Sequence, residues 1–160
     1  MRSIKGMNSV FTIRGDPRVT KFGAVLRKFK LDELPQLFNV LVGAMSFVGP
    51  RPDVVGFADM LQGDDRIILS LRPGITGPAT LFYRNEEEIL ATCDDPERYN
   101  REVVFEIKTK INRQYIREYS FFKDIMYIVA TLVPGFRKQL ISEIESLVER
   151  KYLNLNSNHK

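Results

Sequence analysis

The sequence predicts a mainly helical α+β fold, a compact single domain of short amphipathic helices with a few short strands. Three observations carry this. The chain has 160 residues, 44% of them hydrophobic and 28% charged, enough for one packed core and too apolar for a disordered segment. Apolar residues recur at spacings of three and four in short windows, the period of a helix buried on one face. Glycine and proline cluster at 49–52, 72–78 and 134–135, leaving only brief extended stretches between the helices.

Taken in order, Val10, Phe11 and Ile13 suit a short strand, and Asp16-Pro17-Arg18 is a turn signal. Thr20 can cap a helix over 21–29 that carries Phe22, Val25, Leu26 and Phe29 on one stripe, with Arg27 on its flank. A second helix is expected over 33–42. Asp32 is its cap, Pro35 is tolerated in its first turn, Leu34, Leu37, Phe38 and Leu41 form its core face, and Gly43 ends it. Residues 46–48 read as a strand and Gly49-Pro50-Arg51-Pro52 as a stiff loop.

Asp53 caps a helix to about 61, Gln62-Gly63 breaks it, and 64–71 reads as another short helix. The loop from Arg72 to Pro78 has glycines that let a ligand approach closely, and 79–83 reads as extended. Helices are expected over 86–92 and 96–118. The longer one carries Tyr99, Val103, Val104, Ile107, Ile111, Tyr115 and Ile116 on one side. Ser120 caps a broadly apolar helix over 121–132, which Pro134-Gly135 stops. The tail holds an amphipathic helix over 136–152 and then frays.

Lysine and arginine number 24 against 20 acidic residues, for a net +4. Residues 1–31 hold eight basic side chains against Asp16 alone, a net of +7, which leaves −3 for the remainder. Such asymmetry suits an anionic partner, although a solvated basic surface explains a bare charge count as well. No aromatic platform or nucleic-acid motif accompanies the basic segment, so nucleic acid is not the expected partner. Cys93 is the only cysteine and His159 the only histidine. A disulfide, a multi-cysteine zinc site and a histidine-based triad are thereby set aside, and a reducing compartment is favoured. The longest apolar run, 125–133, is about half of the roughly 20 residues a membrane-spanning helix needs.

The candidate site is the pair Asp32 and Glu33. Inside a helix, neighbouring side chains diverge by about 100°, but at a helix start the cap residue lies outside helical geometry and the two can converge. The free N–H groups there favour ionised carboxylates, and an ionised Asp can act as a nucleophile or hold Mg²⁺. Arg27, Arg51 and Arg72 are candidates to offset the repulsion between a carboxylate and an anionic diphosphate. Arg51 stands out because prolines flank it on both sides. Arg18 either faces the ligand or, the favoured alternative, ties the basic segment to an internal carboxylate. By itself an Asp-Glu dipeptide is more often a plain helix cap.

Four ordered motifs sharpen the reading: D-x-R-x-T (Asp16, Arg18, Thr20), L-D-E-L-P-Q-L-x-N-V from Leu31, M-S-x-V-G-P-R-P from Met45 and R-P-G-I-T-G from Arg72. Together they resemble the bacterial sugar transferases, the monotopic phosphoglycosyl transferases, over roughly residues 14–134. The resemblance implies transfer of a sugar 1-phosphate from a UDP-sugar to undecaprenyl phosphate with release of UMP. Asp32 would be the nucleophile that carries a covalent phosphosugar. Glu33 would support metal and phosphate handling with Mg²⁺. Arg27 and Arg51 would contact phosphate, and Arg72 would contribute more loosely to nucleotide recognition.

The same resemblance implies a division into a catalytic domain over 1–134 and a C-terminal helix and tail over 135–160. It also implies a membrane-interface partner and a location at the cytoplasmic face of the bacterial inner membrane, peripheral for a chain of this form. Relatives begin with a re-entrant hydrophobic helix and a polar linker. Only the end of that linker is legible at Met1-Arg2-Ser3, so the expectation is an N-terminally truncated catalytic portion. Ala44 also departs from the polar or acidic residue that many relatives carry there. The helix over 121–132 is either a core helix or one lying in the membrane interface, with Arg137 and Lys138 near lipid phosphates. A non-catalytic paralogue that binds a UDP-sugar or a partner transferase is the alternative function. The sequence leaves open which sugar is moved and whether the chain forms a homo-oligomer.

Overall fold

The computed structural model describes residues 19–28, 34–51 and 61–148. Eight α-helices lie among the described residues: α1 (Lys21–Lys28), α2 (Gln36–Leu41), α3 (Pro78–Phe82), α4 (Glu86–Ala91), α5 (Pro96–Tyr99), α6 (Phe105–Arg117), α7 (Phe121–Leu132) and α8 (Pro134–Val148). A 3-10 helix (Gly63–Ser70) and a π-helical turn (Asn100–Val104) join them. Two strands, β1 (Ser46–Val48) and β2 (Gly74–Thr76), pair in parallel with Ser46 opposite Gly74 and Val48 opposite Thr76. The architecture is the mainly helical α+β fold expected.

The core forms where α3, α6, α7 and α8 meet beneath β1. Val48, Ala79, Leu81, Ile111, Tyr115, Tyr127, Ala130, Leu140 and Ile144 make one buried cluster. On α6 the inward residues Ile111 and Tyr115 are four apart, as a helix of 3.6 residues per turn requires. Tyr115 donates a hydrogen bond to Asp124 Oδ1 at 2.7 Å, which staples α6 to the first turn of α7. Leu140 and Ile144 bring α8 into the same core.

Local signals in the sequence translate directly. The Gly23 N–H donates to Thr20 Oγ1 at 3.1 Å, so Thr20 caps α1. Gly43 follows α2 at φ 78°, the left-handed conformation that glycine adopts without strain. Other expectations need correction. Residues 79–83 are not extended: Gly77 precedes α3 and Pro78 takes its first position, where proline's missing N–H costs nothing. The short helix expected over 64–71 is present over Gly63–Ser70, wound in the tighter 3-10 form. α7 ends before Pro134 as expected, and the next helix, expected from 136, opens two residues earlier at Pro134. Ser120 occupies the cap position of α7, yet its hydroxyl makes no cap hydrogen bond.

The helix expected over 96–118 is continuous but contains the π-helical turn. Its wider winding shifts the phase of the stripe, so Val104 is fully buried while Tyr99 is exposed. The largest departure is α2. It begins at Gln36, after a turn at Leu34 and Pro35, and Leu34, Leu37, Phe38 and Leu41 are 40–83% exposed instead of forming a core face. Periodicity reports that a face is apolar, not what covers it. The expected strand near Val10, the helix after Asp53, Phe29 and the tail beyond Val148 lie outside the described residues.

Candidate active site

The motifs around Arg51 and Arg72 meet at a backbone junction. Beyond the β1–β2 pairing, Ser46 N–H donates to Pro73 O at 2.9 Å, Gly49 N–H to Thr76 O at 2.9 Å and Gly74 N–H to Pro50 O at 2.8 Å. The chain after β1 therefore doubles back over the start of β2. Three glycines make this contact possible. A Cβ on Gly74 would sit 2.2 Å from Gly49 N, one on Gly77 would sit 2.7 Å from Gly49 O, and one on Gly49 would sit 2.7 Å from Arg72 O. Gly74 and Gly77 are expected from the sequence to let a ligand approach closely; on this face the close neighbour is the chain's own backbone at Gly49.

Arg51 and Arg72 both emerge from this junction and both are exposed. Arg51 follows Pro50, whose carbonyl accepts from Gly74, and Arg72 precedes Pro73, whose carbonyl accepts from Ser46. Arg72 Nη1 lies 3.6 Å from the place a Cβ on Gly43 would take, so its guanidinium rests at the C-terminal end of α2. The Phe38, Asn39 and Val40 carbonyls there already accept from the Val42, Gly43, Ala44 and Met45 N–H groups, so what favours the cation is the negative end of the helix dipole. Asp32 and Glu33 precede the opposite end of α2 in the chain and lie outside the described residues, as do Arg18 and the side chain of Arg27. Ala44 is exposed, and its N–H donates to Asn39 O at 2.8 Å.

Polar contacts that the motifs do not announce tie the surrounding elements together. Thr76 and Thr131 hydroxyls meet at 2.6 Å, joining β2 to α7. Arg113 pairs with Asp65 at 2.7 Å and Arg117 with Asp64 at 2.8 Å, holding the 3-10 helix that leads into Arg72 against α6. Lys108 pairs with Glu86 at 2.7 Å, and its ammonium lies 5.8 Å from the centre of the Tyr83 ring. Burial, followed by the charges of Tyr99 and Glu86, pushes the Tyr83 hydroxyl up to about 12, so the ring stays neutral beneath Lys108. The sequence hint of the Thr131 contact is a small hydroxyl residue set among apolar ones in the last turn of α7.

Among the described residues no three His, Cys, Asp or Glu side chains gather into a metal-binding group. No described helix is long and apolar enough to cross a membrane.

Comparison with known proteins gives these loops a context. The family described as bacterial sugar transferase matches residues 1–138. An uncharacterized sugar transferase of Haemophilus influenzae is 38% identical over 122 residues, covering 76% of this chain and 22% of that protein. The UDP-glucose:undecaprenyl-phosphate glucose-1-phosphate transferase of Escherichia coli K12 is 39% identical over 128 residues, covering 77% of this chain and 25% of that protein. The exopolysaccharide production protein ExoY of Rhizobium meliloti is 36% identical over 120 residues, covering 75% and 46%. The chain thus spans about a quarter to just under half of the length of these relatives. With the matched family extending from residue 1 through both arginine-bearing loops and into α8, this chain belongs to the bacterial sugar transferases.

Proposed function

We propose that this chain is the catalytic part of an enzyme that transfers a sugar 1-phosphate from a UDP-sugar to undecaprenyl phosphate in bacterial polysaccharide or glycoconjugate assembly. The observation that supports it best is the junction. Two loops far apart in sequence are locked together by backbone hydrogen bonds and by glycines that accept no side chain. That rigidity suits groups that must hold a diphosphate in one orientation while it reacts. The names of the relatives from Escherichia coli and Rhizobium meliloti point the same way.

In this reading an Asp32 carboxylate oxygen attacks the sugar-bearing phosphorus. The pyrophosphate P–O bond breaks, and UMP leaves with the bridging oxygen. An oxygen of the lipid phosphate then attacks the same phosphorus and displaces the Asp32 carboxylate, giving a lipid diphosphate sugar. No proton need move in either step. Arg51 and Arg27 counter the charge that builds on the phosphoryl oxygens, while Arg72 holds its loop against the end of α2. Asp32 and Glu33, a pair of hard oxygen donors, would hold Mg²⁺, which supplies charge neutralisation at the diphosphate.

The lipid substrate has a fitting surface. Phe121 and Phe122 are 65% and 78% exposed at the start of α7, and Ile125, Val129 and Leu132 continue the apolar face. Phe47 on β1 and the stripe of α2 are exposed as well, and both α2 and α7 pack against β1. A surface of this kind suits insertion into a membrane interface, with Arg137 and Lys138 on the next helix near lipid phosphates.

Full-length protein incubated with undecaprenyl phosphate, Mg²⁺ and a panel of UDP-sugars should release UMP. Asp32→Asn should lower release by roughly 10³-fold or more and abolish retention of a labelled sugar phosphate on the protein. Labelling that survives in the variant removes Asp32 as the nucleophile.

A further inference from the structure

We propose that Thr131 of α7 is a positioning residue for the arginine-bearing loops, acting through Thr76. Thr131 Oγ1 donates to Tyr127 O, one turn back on α7, at 2.8 Å. A hydroxyl has one proton. With that proton committed, the 2.6 Å contact between the two threonines requires Thr76 to donate and Thr131 to accept. The direction of the bond is therefore fixed, and Thr76 is buried, so water does not compete for it.

Thr76 is also the backbone partner of the opposite loop, its carbonyl accepting from Gly49 N–H at 2.9 Å. One residue thus grips α7 with its side chain and the Gly49-Pro50-Arg51 segment with its backbone. A second bond, Gly74 N–H to Pro50 O at 2.8 Å, closes the circuit. Gly49, Gly74 and Gly77 bring the backbones together but have no side chains with which to hold a neighbouring helix. The offset of the whole junction along α7 is set instead by a directional bond at Thr76. Loss of that bond should leave the helices packed and let the loops drift. A drift of a fraction of an ångström is enough to cost catalysis that depends on orientation.

The activity readout below rests on the transferase reading, whereas the exchange readout does not. In the full chain, Thr131→Val should raise hydrogen exchange at the Gly49 and Gly74 amides about 10-fold, with the Tyr115 amide inside α6 unchanged. Thr131→Ser, which keeps the hydroxyl, should exchange within about twofold of the wild type. Thr76→Val removes the donor and leaves Thr131 bonded within α7, so it should reproduce the change from the other partner. In UMP release, Thr131→Val should lower kcat about 10-fold with KM for the UDP-sugar within about threefold, and Thr131→Ser should restore kcat. Unchanged exchange in both valine variants overturns the anchoring. Faster exchange with unchanged kcat, a loss confined to KM, or failure of serine to rescue overturns the positioning role. A wild-type protein that releases no UMP sinks the transferase reading and the catalytic part of this proposal with it, and the exchange comparison alone then decides the anchoring.

Discussion

Gly74→Ala is the sharpest test of the junction. The new Cβ would sit 2.2 Å from Gly49 N and 2.7 Å from both Gly49 Cα and Gly49 O, all of them backbone atoms. No side chain can rotate away to relieve this. To bring the closest contact to 3.0 Å the two segments must separate by about 0.8 Å. The same movement stretches the 2.8 Å bond from Gly74 N–H to Pro50 O to about 3.6 Å, past useful hydrogen-bond range, and strains the neighbouring bond from Gly49 to Thr76. Two backbone bonds at about 1 kcal/mol each, plus about 1 kcal/mol of overpacking, give a loss near 3 kcal/mol. For a urea slope of roughly 2 kcal/mol/M the midpoint should fall by about 1.5 M.

Two other glycines calibrate the measurement. Gly43 has φ 78°, and its nearest side-chain neighbour is 3.6 Å from the added Cβ, so Gly43→Ala should cost only the backbone strain, about 1–2 kcal/mol. Gly135 lies in the first turn of α8 with nothing within 4 Å, so Gly135→Ala should be neutral or stabilise by up to about 1 kcal/mol. If Gly74→Ala denatures within about 0.5 kcal/mol of the wild type, the backbone contact between the loops is not what locks them, and the case built on the junction fails.

Further outcomes follow from individual contacts. Thr109 Oγ1 is buried on α6 without a hydrogen-bond partner, so Thr109→Val should stabilise the fold by about 1 kcal/mol in chemical denaturation. Alkaline pH should destabilise it. Burial, then the negative charges of Asp124, Glu118 and Glu143, push Tyr127 up to about 12, and burial with the Asp124 hydrogen bond raises Tyr115 further still. The folded pKa lies above the unfolded one near 10. Stability is therefore whole below pH 10 and falls as pH rises toward 12, by about 1.4 kcal/mol per unit for each tyrosine, and Tyr127→Phe should remove one proton from that slope. Phe122→Glu should weaken co-sedimentation with anionic lipid vesicles by roughly 10-fold or more, because it puts a charge at the most exposed aromatic of α7. Unaltered sedimentation would take α7 out of the membrane interface.

What the sequence made legible is what a few neighbouring residues decide. Thr20 caps its helix, Gly43 turns left-handed after α2, and residues 46–48 are extended, because each outcome depends on side chains within a turn or two. The π-helical turn at Asn100–Val104 escaped the periodic reading because one wider turn shifts the stripe without leaving a mark in composition. The junction escaped for a different reason. Residues 46–48 and 74–76 are separated by a long crossover, and nothing local sets their register. The glycines at 74 and 77 are legible as places of close approach, but that the neighbour is Gly49 of another segment, not a ligand, is a tertiary fact. The same division applies to α2. The stripe of Leu37, Phe38 and Leu41, with Leu34 just before the helix, is legible as apolar, and periodicity by itself assigns it to the core. In a protein whose proposed second substrate is a lipid, an apolar helix face has two solvents that can cover it. Periodicity answers only the first question, which residues leave water. The exposed stripe on α2, together with Phe47 and the outer face of α7, is where the second question, what they leave it for, has to be asked of the membrane.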